Sequence, residues 1–537
     1  MKKTIILITI LCFISINTSA QEWQWADEIS GNNNTVTSSV ATDANGFIYL
    51  SGYFKDDLNI GDTTLTAVGE NDAFFTCFDM NGELQWIKHI SGSGDEYAMN
   101  IKAFDGSIYL SGMIAGGTSF GNDTIISSGG LFVSKHNLQG EMQWITLGGS
   151  TSDYCNDMAV SNNGDVFIAG TLNSNSSNFG SYTLIRNGFS DAMMIKYSSE
   201  GNIAWAYNFK GSQYEYGSAI AVSDDKVYIG ARYSSEITVN DTTITPYDGA
   251  DIFVACFSQD LSFNWIRSAG GTDNEEINDL VVDKTNNIWV TGWYMGTITF
   301  DEYFAGSYGE YDVFLARYDE NGDIAGWTHT GSAYSDEGRS LAVLNDNTIA
   351  LAGTFMSSIN LGIAILESNG ESDGFYTRIT QDFSFIEAAQ IGGAGEMSVK
   401  DVSALNDYSI AITGNFYEDI TFGNYQFNNP GALNSYIAKL EILTGTEERN
   451  IIGNSNISVF PNPATESFII SIDGTIPEYL YLTDILGYRI ARIETNGNKT
   501  IKWNCSGNDY KKLSPGTYFI FPADRKNSNG AKIQIIR

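Results

Sequence analysis

Histidine, cysteine, proline and positive charge are all scarce in this chain of 537 residues, which has 3 His, 5 Cys, 7 Pro, and 29 Lys and Arg against 64 Asp and Glu. Few histidines leave little for imidazole catalysis. There is also no Gly-x-Ser-x-Gly elbow, no His-Glu-x-x-His and no Cys-x-x-Cys, so no familiar hydrolase or metal motif is present. The cysteines do not form a disulfide framework: Cys77 and Cys256 fall at one repeat position three copies apart and read as buried small apolar residues. A net charge of −35 repels nucleic acid phosphates and anionic membranes. Beyond the first twenty residues no uninterrupted apolar run approaches the length of a membrane span, so no transmembrane segment is expected.

The start and end of the chain differ from the middle. Lys2 and Lys3 precede an apolar run over residues 5–16, and Thr18-Ser19-Ala20 supplies the small residues a signal peptidase needs. Residues 1–20 therefore read as a secretory signal peptide. Bulky Leu11 before Cys12 argues against a lipoprotein. Residues 455–537 carry a balance of +3, and with the two leader lysines removed as well, residues 4–454 hold −40. Such a body suits an extracellular protein and would welcome cations or basic partners.

What is abundant is repetition. Strand-like runs end at Gly52, Gly112, Gly170, Ala231, Gly292, Gly353 and Gly414, in steps of 58 to 61 residues. A period of that size over seven copies indicates stacked supersecondary units. Each copy reads as four strands. A Phe-Gly-like corner recurs at Ile60-Gly61, Phe120-Gly121, Phe179-Gly180, Val239-Asn240, Phe300-Asp301, Leu361-Gly362 and Phe422-Gly423. Third strands open at Asp72, Asp191, Asp251, Asp312, Asp373 and Asn434. Fourth strands carry Trp25, Trp86, Trp144, Trp205, Trp265 and Trp327, with Phe385 as the seventh equivalent. Trp25 matches Trp86, so the mature chain opens on a fourth strand, and the last copy, ending near Leu440, lacks one. A missing strand at one end supplied by the other closes a ring and hides both sheet edges. The fold expected is all-β: a seven-bladed β-propeller over residues 21–443, about 60 residues per blade, with the N-terminal strand closing the last blade. A polar linker follows over residues 444–456, and short alternating strands over residues 457–537 predict a small β-sandwich.

Two resemblances sit on these residues. Gly270-Gly271-Thr-Asp-Asn-Glu-Glu, followed by Asp283-Lys-Thr-Asn-Asn-Ile-Trp-Val-Thr-Gly292, resembles the blades of secreted bacterial SBBP propeller repeats. Toward the C-terminus, Pro461-Asn462-Pro463, Asp484 with Gly487, and Pro515-Gly516 before Tyr518 stand in an order similar to the type A sorting domain of type IX secretion. That resemblance implies the type IX machinery as partner and the outside of a Gram-negative cell as address, either released or on the outer-membrane surface.

Candidate site residues follow from strand counting. The four-to-one crossover and the two-to-three segment lie on one side of each unit. Carboxylates follow the glycines that end the fourth strands: Asp95, Asp153, Glu215, Glu275, Asp336 and Glu396. Round a channel mouth they could attract Ca²⁺ or a basic ligand. Alternatively, each bonds backbone N–H groups in its own crossover; no other cofactor is indicated. Asp62-Thr63, Asp123-Thr124 and Asp241-Thr242 resemble Asp-Thr-aliphatic O-glycosylation acceptors, or are plain hairpin turns. The one tryptophan per copy could be a sugar-stacking platform or packing between blades. The expected function is a secreted or cell-surface binding module, monomeric, for a protein or glycan, and not an enzyme. The alternatives are a polysaccharide hydrolase or lyase, or a structural surface component.

Overall fold

The computed structural model describes residues 23–442, apart from 122, 126–128, 407–408 and 430, together with residues 455–460, 467–474, 476, 479–483, 489–504, 512–513, 516–522 and 531–535. The signal peptide, most of the linker, Cys12, Cys505 and the motif residues Pro461, Asn462, Pro463, Asp484, Gly487 and Pro515 lie outside the described residues. The chain divides into two compact units, Met1–Leu443 and Thr444–Arg537. The described residues contain strands and no helix.

Among the described residues of the first unit a four-stranded antiparallel set recurs seven times, two of the sets are extended to six strands by a hairpin of the following repeat, and other such hairpins form separate two-stranded sheets. Sheet one runs Thr35–Thr42, Ile48–Phe54, Asp72–Phe78 and Leu84–Ser91. Sheets two to six repeat the plan, with first strands Tyr97–Phe104, Tyr154–Val160, Glu215–Val222, Glu275–Val282 and Asp336–Val343. Sheet seven consists of Met397–Asn406, Ser409–Phe416, Asn434–Glu441 and, as its fourth strand, Trp23–Ile29 from the other end of the chain. The first strand of each sheet packs against that of the next, and sheet seven's packs against sheet one's. Burial follows this order. Second and third strands such as Val166–Leu172 and Asp72–Phe78 are buried along their whole length, whereas the fourth strands are half-exposed. That is why their side chains run apolar without strict alternation. Cys77, Cys155 and Cys256 are buried free thiols.

The repeated landmarks have physical reasons. Each corner holds its second residue at positive φ: Gly61, Gly121, Gly180, Asn240, Asp301, Gly362 and Gly423 lie between 50° and 76°. This is the left-handed region open to Gly, Asn and Asp. The corner turns a hairpin inserted between the second and third strands, such as Asp57–Ile60 with Thr63–Thr66. The tryptophans join neighbouring sheets. The indole N–H groups of Trp25, Trp86, Trp144, Trp205 and Trp265 donate to the carbonyls of Met80, Leu138, Ser199, Gln259 and Glu320 in the turn of the next sheet, each at 3.1 Å. A Cβ on Gly82, Gly201 or Gly322 in those turns would strike the indole. These rings are packing groups.

In the second unit, Ser455–Phe460, Phe468–Gly474 and Thr500–Trp503 form one sheet, and Tyr479–Thr483, Arg489–Glu494, Gly516–Pro522 and Ala531–Ile535 another. Ile457, Phe468, Ile470, Leu480, Leu482 and Ile520 belong to one apolar cluster shared by both sheets.

Removing residues 23–31 leaves the N–H and C=O groups of Asn434–Glu441 as an open edge. The truncated chain is expected to self-associate and to lose its single unfolding transition, read by size-exclusion chromatography and urea denaturation. The milder Trp25→Phe removes the bond to Met80 and part of the ring that packs on Gly82, and should cost about 1 to 3 kcal/mol in the same denaturation.

Candidate functional site

Every first strand carries a β-bulge at the same register, and that of sheet seven has a second register shift at Leu405. The extra residues are Ser38, Met99, Asn156, Ser218, Asn278, Arg339 and Lys400. A bulge re-aims side chains and sharpens strand twist. On the crossover side a cavity of about 270 Å³ is lined by six of the seven bulged residues, all but Ser218, with Tyr53, Asn100 and Lys102. On the other side a cavity of about 380 Å³ is lined by residues from all seven first strands, mostly Val, Ala, Leu and Ile. Lys102, Asp157, Asp279 and Asp401 line both, so they form the tier between them.

The three aspartates of that tier occur 122 residues apart, two repeats each time. Each follows a bulge and ties its own sheet to the next. Asp157 accepts the N–H of Met158 and of Ile220, at 2.7 and 2.8 Å; Asp279 accepts those of Leu280 and Leu341, both at 2.7 Å. Asp401 accepts the N–H groups of Val402 and Val40, both at 2.9 Å, so it joins the last repeat to the first. The aligned positions in the sheets that receive these bonds are Ala219, Ser340 and Ser39, all small. Lys102 stands among the three carboxylates, which hold its ammonium charged despite burial. Burial and the neighbouring Asp157 push Asp279 up to about 7.

The six carboxylates expected round the mouth line neither cavity. Asp153 is buried and accepts the N–H groups of Ser150, Asn173 and Ser174 at 2.9 to 3.0 Å. Asp336 accepts from Met356 N–H at 3.1 Å, and Glu215 from Ser235 Oγ at 2.8 Å. Asp95 accepts from the Asn71 amide at 2.6 Å, and Glu396 bridges to Ser372 through the backbone. Strand register aligns Thr35, Glu96, Asp153, Glu215, Glu275, Asp336 and Met397. Asp95 and Glu396 are thus one residue out of line with the other four. Among the described residues no three acidic, His or Cys groups come together as metal ligands.

This aligned position abuts another, the opening residue of the preceding sheet's third strand, giving the buried pairs Asp72/Glu96, Asp191/Glu215, Asp251/Glu275 and Asp312/Asp336. The glycine after the fourth strand makes room: a Cβ on Gly92, Gly211, Gly270 or Gly331 would meet one of these carboxylates at 2.0 to 2.4 Å. The fourth strand supplies a complementary group. His89 meets Asp72 at 2.6 Å and the Gln390 amide meets Asp373 at 2.6 Å; at sheet seven the roles reverse, with the Asn434 amide donating to Glu28 at 2.8 Å. Sheet two has Gly130 in place of the acid and apolar Leu147 opposite. The remaining histidines are also structural: His329 bonds the Tyr294 hydroxyl at 2.7 Å, and buried His136, lowered to about 4, bonds Ser134.

Desolvation raises these carboxyls: Asp191, Asp251 and Asp312 to about 6, Glu215 and Asp336 to about 7, and Glu275, with Asp251 beside it, to about 10. Thr63 is half-buried and Thr242 exposed, each just past its hairpin turn, and Thr124 lies in the strand Asp123–Ile125.

Residues 458–536 match the secretion system C-terminal sorting domain family. The chain therefore carries a type IX sorting domain, and its address is the cell surface or the extracellular space. An uncharacterized WD repeat-containing protein of Acanthamoeba polyphaga mimivirus is 24% identical over 197 residues, which is 32% of this chain and 14% of that protein. Regulatory protein FlaEY of Caulobacter vibrioides is 22% identical over 356 residues, 59% of this chain and 36% of that one. The chain thus spans well under half the length of these curated relatives. Among solved structures, a polysaccharide lyase of family PL25, an ulvan lyase, is similar with a TM-score of 0.40 and 11% identity, covering 73% of this chain and 93% of that one. Likeness at that level says nothing of activity.

Two predictions follow from the carboxyls. Raised folded-state values mean that the native protein holds protons which the unfolded chain, at ordinary values near 4, releases. That stabilisation is complete only below about pH 4 and is lost progressively as pH rises to about 6 to 7, and further for Glu275. The melting temperature should fall from pH 5 to pH 8, and Glu275→Gln should flatten the fall and add about 1 kcal/mol at pH 8. Lys102→Met leaves three carboxylates facing one another and should destabilise by about 3 kcal/mol at pH 8, less at pH 5, in urea denaturation.

Proposed function

We propose that the seven sheets are the blades of a propeller of SBBP type, closed by the N-terminal strand, and that this propeller is a secreted binding module for a protein or glycan. The second unit, as a small β-sandwich, would hand the chain to the type IX machinery. The ligand would sit over the cavity on the crossover side. The observation that carries this reading is the cavity on the crossover side, which Ser38, Met99, Asn156, Asn278, Arg339 and Lys400 line with unlike side chains. Asn156 and Asn278 also bond the Gly217 and Gly338 carbonyls of the next sheet. An open, uneven lining of polar and charged groups suits an asymmetric ligand.

Catalysis is not proposed. The central aspartates have oxygens committed to backbone N–H groups, and of the outer carboxylates Asp153, Glu215, Glu275 and Asp336 are buried.

The test is binding of the full mature chain to glycan and protein arrays, with and without Asn278→Trp, which fills the crossover-side cavity. Binding without turnover, weakened at least about tenfold by the indole, with the melting temperature lowered only by loss of the Asn278 bond to the Gly338 carbonyl, is the expected outcome. Polysaccharide cleavage would overturn it in favour of a hydrolase or lyase. Absence of any ligand, with abundant protein on the envelope, would favour a structural component.

A further inference from the structure

The crossover side carries two features that no packing role uses. The first is aromatic. Phe189, Tyr214 and Tyr216 stack nearly parallel, with centroids 4.9 and 6.2 Å apart and planes 19° and 13° from each other. Phe189 is 54% and Tyr214 46% exposed, so this ladder is open to solvent. It steps from the third-strand end of sheet three, through the crossover, to the first strand of sheet four, two residues before bulged Ser218. Tyr154 and Tyr334, on two other crossovers, are equally exposed. Flat exposed rings with polar tips offer the faces of sugar rings both stacking and hydrogen bonds.

The second feature is electrostatic. Arg339 and Lys400 are the bulged residues of adjacent sheets, and both line the crossover-side cavity. Arg339 is ion-paired with Glu337. The Lys400 ammonium has no ion-pair partner among the described residues; burial and the Arg339 guanidinium lower its affinity for its proton by more than the nearby Glu337 and Glu396 raise it. An anionic group in the cavity would relieve both the desolvation and the repulsion. The aspartates below do not compete, because their oxygens are turned to backbone N–H groups.

We propose that the ligand is an oligosaccharide bearing an isolated acidic group, a carboxylate or a sulfate, which sits on Lys400 and Arg339 while neighbouring sugar rings lie on the ladder from Tyr216 to Phe189. This rests on the binding-module reading above and narrows it. A dense polyanion is disfavoured, since the −40 carried by residues 4–454 repels it before contact. One charge on an otherwise neutral chain meets little of that repulsion.

The test is calorimetric titration of the full mature chain with four probes: a tetrasaccharide ending in one uronate, its neutral counterpart, the same chain with one sulfate, and heparin. The expected result is tighter binding of the uronate or the sulfate form than of the neutral chain, by about tenfold or more. The stronger of the two identifies the acidic group, and heparin should bind weakest of the charged probes. Lys400→Met should abolish the preference while leaving the melting temperature unchanged or higher. Tyr214→Ala should weaken acidic and neutral chains alike, about three- to tenfold. Equal binding of neutral and acidic chains, or an unchanged preference in Lys400→Met, overturns the acidic-group inference but leaves the binding module standing. Failure of all four probes, with an array-identified protein ligand displaced by Asn278→Trp, overturns the glycan and keeps the module. No ligand at all removes both.

Discussion

One antiparallel pairing, between Trp23–Ile29 and Asn434–Glu441, holds the first unit together across more than four hundred residues of sequence. Everything else in the unit is local: each sheet forms from one repeat, and each interface joins consecutive repeats. Without this pairing the array would have two free ends, each with an exposed strand edge. With it, sheet seven is completed and its first strand lies against that of sheet one. The closing contact is reinforced below the strands by Asp401, which bonds Val40 N–H and Ser39 Oγ, and by Thr37 N–H donating to Asn415 Oδ1. Loop-closure entropy rises only slowly with length, so a contact this distant is thermodynamically tolerable. It is costly mainly in time, since non-local pairing is formed late.

Closure explains the distribution of polar groups in the interior. First strands of consecutive sheets pack directly against one another, whereas fourth strands reach the next sheet through their indoles. The large indoles therefore sit at the outer strands, and Ala, Ser and Gly at the inner ones. Where inner strands crowd, the bulge relieves the geometry, and the residue after it becomes a bridge to the next sheet. Asp157, Asp279 and Asp401 serve every second junction, and small residues receive them at Ala219, Ser340 and Ser39. Two carboxylates cannot both project from adjacent strands into so narrow a tier, which accounts for their spacing of two repeats. Lys102 then balances part of three charges with one.

The frame was legible from sequence because its causes are local and recur. Gly61 and its equivalents mark the left-handed corner, the tryptophans mark the fourth strand, and the match of Trp25 to Trp86 placed the N-terminal strand beside Asn434–Glu441. The interior site was not legible in the same way. Crossover glycines drew attention to the acids that follow them, but those acids need the glycines for space and point into sheet junctions. One-residue differences in crossover length put Asp95 and Glu396 one residue before the aligned place, which Glu96 and Met397 occupy. The central aspartates left a trace, the 122-residue spacing, yet an Asp in an apolar strand looks like noise until the bulge that re-aims it is known. A bulge adds one residue without a compositional mark, and that is why Arg339 and Lys400 were invisible as neighbours.

The acidity of the chain divides into two kinds once the contacts are known. Aspartates such as Asp72, Asp153 and Asp373 act as fixed acceptors for backbone and side-chain donors inside the sheets and their junctions, and their partners vary in step with them: a donor faces an acid, Glu28 faces Asn434, and Leu147 faces Gly130. Such matched variation keeps the junction satisfied whatever the residue, so it leaves no chemistry free for a ligand. The bulged residues are mixed: Asn156 and Asn278 bond the Gly217 and Gly338 carbonyls of the next sheet and Arg339 pairs with Glu337, whereas Lys400 has no ion-pair partner among the described residues. None of the seven is acidic, and the two cations among them lie on adjacent sheets, which gives the central cavity a polarity that seven equivalent repeats could not otherwise have.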